Sequence, residues 1–317
     1  MKPAFTKNNT AIVMCASNYY APYTSVVIQS ILECRSEDNN YDLIVLSKDM
    51  TKLNQETLLS MVQDCDNVFL RFVDMSERVR NLSVFTTAHF TIESYFRIFI
   101  PYVLSEYEKV IYCDCDLVWL EDPAKLYEMD IEGNIFGAIV DPIYICNEKL
   151  FDTYWEKRNV EELHMPENDK YTNTGIMIWN IALFREVFSF EYVIQVAQER
   201  QLLFCDQDVL NILCGGHIFH LPANWNVLAD TLDHRPQLNQ LLGTENDYEQ
   251  ARSNPYVFHW ADRIKPWGAE MVDKGYLFWN FAKNSPFYES ILYRLSHAIY
   301  SFYVSNQGFC SDLKGLL

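Results

Sequence analysis

The sequence predicts an α/β fold, a mixed but mostly parallel sheet flanked by helices, with a helical appendage at its C-terminal end. Three observations carry this expectation. Short apolar runs rich in β-formers alternate with stretches of helical spacing through the first half of the chain. No Gly/Ser/Pro-rich linker, repeat or low-complexity tract divides it. A chain of 317 residues, 49% hydrophobic and 21% charged, can bury a core without disulfides or metals. The expected organisation is one continuous domain over residues 1–284 and a C-terminal helical segment over 285–317.

The elements follow in order. Ala11–Ala16 (A-I-V-M-C-A) reads as the first strand, closed by polar Ser17 and Asn18 and followed by a helix from Thr24 to Cys34. Tyr41–Ser47 and Val68–Asp74 are the next strands, with a helix over Thr51–Asp64 between them for which Thr51 offers a capping hydroxyl. Thr91–Leu104 has helical spacing interrupted or ended near Pro101. Lys109–Cys113 and Phe136–Val140 are nearly continuous apolar runs, as strands covered on both faces require. The second half is less regular. Gly175–Asn180 is a strand, Phe190–Arg200 a helix, and Asp206–Cys214 a helix stopped by Gly215-Gly216. Ile218–Leu221 and Tyr256–His259 are short strands, and Pro286–Val304 carries apolar and aromatic residues at helical spacing.

Charge narrows the function. Lys and Arg number 25 against 43 Asp and Glu, a formal net charge of −18. A protein that tracks a nucleic-acid backbone shows a basic footprint, so nucleic acid is excluded as the main partner. The nine cysteines form no C-x-x-C or metal-ligand spacing, which suits free buried thiols in a reducing compartment. Met1–Thr10 is polar and lacks the apolar core of a signal peptide. No apolar run reaches the roughly 18 residues a membrane span needs. The expected location is the cytoplasm.

In an open α/β sheet, ligands bind beyond the carboxyl ends of the strands. There stands Tyr112-Cys113-Asp114-Cys115-Asp116. Alternate residues of an extended segment point the same way, so Asp114 and Asp116 can converge on one hard cation. Their bland reading is a pair of solvated turn residues. His259 ends a short apolar run and Lys265 follows six residues later. Two carboxylates and an imidazole suit Mn²⁺, and a lysine adds the point charge a nucleoside diphosphate needs. Asp206-Gln207-Asp208 opens a helix, where acidic residues are favoured by the dipole and Asp206 could cap; the same side chains could bond sugar hydroxyls. Asn173-Thr174-Gly175 reads as a turn. Tyr19 and Tyr20 could stack on a base or simply pack, and Arg97 could hold a phosphate or an internal carboxylate.

Together these segments resemble glycosyltransferase family 8, retaining enzymes that include glycogenin and bacterial lipooligosaccharide galactosyltransferases. The resemblance runs in order over Ala11 to Trp267. It rests on A-S-N-Y-Y-A-P-Y (Ala16–Tyr23), S-Y-F-R (Ser94–Arg97), Y-C-D-C-D (Tyr112–Asp116), Y-T-N-T-G (Tyr171–Gly175), D-Q-D-V-L-N (Asp206–Asn211) and H-W-A-D-R-I-K-P-W (His259–Trp267). It implies a GT-A fold, Rossmann-like, binding a UDP-sugar with Mn²⁺, or Mg²⁺ in its place. By the same resemblance Asp114, Asp116 and His259 are the metal ligands, and Asp114 lies near the ribose. Lys265 contacts the diphosphate, Tyr20 or Tyr19 stacks on uracil, and Ala16 lines the base pocket. Arg97, Asn173, Asp206 and Gln207 meet the donor sugar and diphosphate. The matching motifs add Ser17, Asn18, Cys115 and Thr174 to the nucleotide-sugar contacts. Gln207, Asp206 and Asp141 are the expected catalytic residues, with Gln207 a stabiliser near the anomeric carbon and Asp141 facing sugar or acceptor. Two departures stand out: the first loop is about one residue short, and Asp262 occupies a place where the family often has Gly.

The implied activity is transfer of galactose or glucose from UDP-galactose or UDP-glucose to a glycan acceptor on lipid or protein, by front-face attack with retention. Lipopolysaccharide biosynthesis is the expected setting. Two-carboxylate glycosidase chemistry is unattractive, because Asp114 and Asp116 are too close in sequence to flank a sugar. A nucleotidyltransferase would want a Gly-rich basic loop, and Ala16–Tyr23 has neither Gly nor a basic residue. A sugar-nucleotide hydrolase or a non-catalytic glycan-binding module are the other readings. In Pro286–Val304 only Arg294 and His297 can be cationic, so membrane contact would be at most peripheral, with packing or a homodimer contact as alternatives.

Overall fold

The computed structural model describes residues 1–86, 91–151, 153–166, 169–199, 202–229 and 248–314. The Arg200 end of one predicted helix and the last three residues of the predicted C-terminal segment lie outside them. The apolar runs become ten strands: β1 (Asn9–Cys15), β2 (Asn40–Ser47), β3 (Val68–Asp74), β4 (Lys109–Cys113), β5 (Leu117–Trp119), β6 (Phe136–Val140), β7 (Thr172–Asn180), β8 (Ile218–His220), β9 (Val227–Leu228) and β10 (Val257–His259). Seven form one sheet in the order β3-β2-β1-β4-β7-β6-β8, and β5-β10-β9 form a second. β1 pairs parallel with β2 and β4, while β7 runs antiparallel to both β4 and β6. The sheet is mixed and mostly parallel, as expected.

Strand alternation sorts the apolar side chains into two cores. Ile12, Met14, Leu43 and Val45 face one way, against helix Ala21–Cys34; Ala11, Val13, Ile44 and Leu46 face the other, against the Ile92–Phe99 segment. β5 and β9 were not foreseen; at three and two residues they are too short to show a period.

Several boundaries differ for local reasons. The first helix begins at Ala21, because Pro22 supplies a ready-made first turn. The Thr51-capped helix spans Lys52–Ser60 and gives way to turns before Asp64. Pro101 does not end a helix. A 3₁₀ stretch over Ile92–Phe99 passes into a short α-helix over Ile100–Val103, with Pro101 in its first turn, where the missing N–H costs nothing. β7 starts at Thr172, so Asn173-Thr174-Gly175 is strand rather than turn. The C-terminal helix runs Tyr288–Lys314, and Ser285 closes it onto the first helix through a 2.5 Å hydroxyl contact with Ser25. Phe287 and Ile291 enter the main core. Among the described residues no helix is long and apolar enough to cross a membrane.

Candidate functional site

β1 is the point where the chain changes direction across the sheet, with β2 on one side and β4 on the other. The loops leaving β1, β4 and β6 therefore open on one edge, together with the start of antiparallel β7. A cleft of about 1000 Å³ lies there. Ser17, Tyr19, Tyr20, Arg97, Asp114, Cys115, Asp116, Asp141, Asn173, Thr174, Asp206, Gln207, His259 and Lys265 all line it. Two of the expected residues do not. Ala16 is buried, donating its N–H to Leu46 O at 3.0 Å, and the Asn18 amide oxygen faces Thr51 N at 2.9 Å and Asn54 Nδ2 at 2.8 Å.

The loop Asp114–Asp116 links β4 of the large sheet to β5 of the small one. β10 pairs antiparallel with β5, placing His259 opposite Leu117, and Trp260 N donates to Asp116 O at 3.0 Å. Residues 143 positions apart thus meet through one backbone ladder. His259 Nε2 lies 3.0 Å from Asp116 Oδ1 and 3.7 Å from Asp114 Oδ2. Asp114, Asp116 and His259 each offer a ligand atom, all within 4.8 Å of one another.

The remaining atoms of this set are engaged outside it. Asp114 Oδ1 accepts from Arg97 Nη2 at 2.8 Å and from Tyr112 OH at 2.6 Å. Asp116 Oδ2 accepts from Lys265 Nζ at 2.7 Å. What remains pointing inward is one oxygen from each carboxylate and one imidazole nitrogen. Close approach is enforced from below: a Cβ on Gly175 would sit 2.3 Å from His259 Cε1 and 2.9 Å from Asp114 Oδ2. This mixed O,O,N donor set with open positions fits a divalent ion of the Mn²⁺ or Mg²⁺ kind.

The electrostatics follow from burial. Burial works to raise the Asp116 carboxyl, and Lys265 and His259 more than offset it, holding it well below the usual carboxylate range. Burial pushes Asp206 up to about 7 against the pull of Arg97, whose Nε lies 2.7 Å away, with Asp114 adding to the rise. Asp206 is not the helix cap. Phe204 holds that position with no side-chain cap, and Asp206 turns toward Arg97 from the first turn of helix Cys205–Cys214. Asp141 is likewise raised by burial, although its carboxylate accepts from Ile143 N, Tyr144 N and Asn173 Nδ2. Gln207 is clamped across the cleft, its oxygen on Thr174 N at 3.0 Å.

At the other end Tyr19 is 59% exposed, and the Arg294 guanidinium of the C-terminal helix sits 4.3 Å from its ring centroid. Tyr20 meets Trp267 edge-on. Asp262 turns its carboxylate back onto Arg263 N at 2.6 Å. Asn226 was missed by sequence reasoning: it follows no strand or motif, yet it touches His259 Nδ1 at 3.0 Å. Cys15, Glu93, Ile143, Asn147 and Phe204 also line the cleft with no sequence signal of their own.

Residues 11–271 match the model of glycosyl transferase family 8. The chain belongs to that family. General stress protein A of Bacillus subtilis is 27% identical over 268 residues, 81% of this chain and 87% of its own length. Glycosyltransferase GlyF of Streptococcus pneumoniae is 25% identical over 267 residues, 83% of this chain and 58% of its own. Among solved structures, the apo bifunctional glycosyltransferase WbbM superposes with a TM-score of 0.83 at 27% identity over 93% of this chain; this chain spans 53% of WbbM. The galactosyltransferase LgtC, solved with donor and acceptor sugar analogues, has a TM-score of 0.70 over 87% of this chain and shares the fold at 20% identity. Family 8 membership and the GT-A fold thus agree with the expectation from the sequence.

Proposed function

We propose that this family 8 protein is a retaining hexosyltransferase, moving galactose or glucose from a UDP-sugar to a glycan acceptor of a cell-surface glycoconjugate with Mn²⁺ assistance. The observation that carries the reading is the convergence of Asp114, Asp116 and His259 within 4.8 Å beside Lys265 and Arg97. These three would hold the ion, which would neutralise the diphosphate and the charge that builds as the sugar–phosphate bond breaks. Lys265, on Asp116, and Arg97, on Asp114, would add positive charge there. Ser17, Tyr19, Tyr20 and Cys115 are proposed to take the nucleoside, and Asn173, Thr174, Asp206 and Gln207 the sugar.

Front-face attack suits the carboxylates present. A double displacement needs an ionised, unencumbered nucleophile. Asp141 is buried, raised and faced by four donors, and Asp206 is raised and paired with Arg97. Gln207, a neutral amide, can stabilise the anomeric centre but cannot ionise. Residues 1–284 are proposed as the catalytic unit, with the following helix packed on it.

The test is thermal unfolding with UDP, GDP, CDP and ADP, each with Mn²⁺ or EDTA, on wild type and Asp116→Asn. A ligand at 100 times its Kd adds about 2.7 kcal/mol. Stabilisation by UDP with Mn²⁺ alone, absent in the variant, is expected. No response to any nucleotide would sink the transferase reading.

A further inference from the structure

Nε2 of His259, 3.0 Å from Asp116 Oδ1, can take a cation only if the ring keeps its other proton on Nδ1. The hydrogen bonds on the Nδ1 side fix that proton without reference to any ligand. The ladder between β6 and β7 slips between Ile139↔Asn173 and Gly137↔Ile178. In that interval Gly175 N–H turns to a side chain and donates to Asn173 Oδ1 at 3.0 Å. A backbone N–H can only donate, so the atom it meets must be the amide oxygen, and the Asn173 amide has one orientation. Its Nδ2 then faces Asp141 Oδ2 at 3.1 Å, as a donor should.

The second amide follows from the first. Asn226, fully buried, lies 2.8 Å from Asn173 Oδ1, so it must present its NH₂ there. Its oxygen is thereby turned to His259 Nδ1, 3.0 Å away, and an oxygen without hydrogens requires a proton on that nitrogen. Each link forces the next, starting from a backbone group that cannot change its role.

We propose that Asn226 is a positioning residue: through the Gly175–Asn173–Asn226 relay it holds His259 with Nδ1 protonated, so that Nε2, directed at the two carboxylates, is the nitrogen left to a divalent cation. The proposal rests on the metal reading above but makes a separate claim, that affinity depends on an amide that is not itself among the three ligands and acts through His259. The relay also reaches the sugar end of the cleft, because Asp141 Oδ2 lies 3.5 Å from Gln207 Nε2. Groups placed like Asn226 typically control metal affinity by about 10- to 100-fold.

The experiment measures Mn²⁺ binding by electron paramagnetic resonance on wild type, Asn226→Ala and Asn226→Asp, without nucleotide. Near-UV circular dichroism checks folding of each variant. Asn226→Ala should bind Mn²⁺ about 10- to 100-fold more weakly, and Asn226→Asp, which keeps an oxygen for Nδ1–H but sets its other oxygen against Asn173 Oδ1, should recover part of that loss. A folded Asn226→Ala with wild-type affinity overturns the proposal while leaving the transferase reading intact. Nitrogen-15 NMR of the wild type needs no variant, with the His259 signals assigned through His259→Gln. A protonated Nδ1 is expected, and an unprotonated, pyridine-type Nδ1 overturns the relay. Absence of Mn²⁺ binding in the wild type would instead remove the metal reading on which both stand.

Discussion

Asp206 sits at the junction of two opposing effects. Burial raises its carboxyl to about 7 although Arg97 is in contact, so it is protonated over part of the range in which the protein would work. A raised folded-state pKa stabilises the fold fully below the ordinary carboxylate value near 4, and that contribution is lost as pH rises through about 7. In EDTA, the stability of wild type relative to Asp206→Asn should therefore fall between pH 4 and 7 and level off above. Urea unfolding of both proteins at a series of pH values tests it, and a pH-independent difference would show that the carboxyl titrates normally. At this scale much was legible. Asp114, Asp116 and His259 stand just after or at strand ends and Gln207 at a helix start, while Arg97, inside the Ile92–Phe99 segment, and Lys265, six residues past His259, were expected in the site by resemblance to the family's motifs. Asn226 was not, because its role is set by two amides contributed from other elements.

Helix Cys205–Cys214 shows what an element adds. Asp206 and Asp208 read as one acidic cluster in sequence, but two residues of helix turn them about 200° apart. Asp206 faces the cleft, whereas Asp208 points into the core. There it meets Arg158 Nη2 at 2.5 Å, Tyr171 OH at 2.6 Å and Phe204 N at 2.9 Å. Both charges are essentially inaccessible to water. Arg158→Ala would strand a buried carboxylate and should cost about 3–5 kcal/mol in chemical denaturation, while replacing both partners by apolar residues of similar volume should recover much of that. A loss under 1 kcal/mol in the single variant would mean that water reaches Asp208. Tyr144 stacks on Tyr171 with centroids 3.9 Å apart, so this buried pair also braces the wall of the cleft around Tyr144 and Phe204.

Over the whole molecule the formal charge of −18 creates a field that favours a divalent cation and disfavours an anionic donor. The Debye length shrinks from about 30 Å at 0.01 M salt to about 10 Å at 0.1 M. Mn²⁺ affinity, followed by the resonance of the free ion, should weaken several-fold over that interval. A salt-independent Kd would assign the affinity to the three ligands alone. The C-terminal helix belongs to this scale as well. It carries exposed Tyr293, Tyr300, Phe302 and Tyr303, yet its first turns are anchored by Phe287, Ile291 and the bond from Arg294 to Tyr19 O at 2.6 Å.

Period and punctuation alone determined the α/β class, the parallel half of the sheet, and the strand end at which the acidic pair would gather. Those are local properties: a strand buried on both faces must be apolar throughout, and an open α/β sheet presents its ligands beyond the strand ends. Tertiary structure decided the rest. Pairing of three-residue β10 with β5 brings His259 to Asp116, and a slip in the β6–β7 ladder frees the N–H that orients Asn173 and, through it, Asn226. The contacts His259–Asp116 and Asn226–Asn173 join residues distant in sequence, and only the folded chain gives them partners.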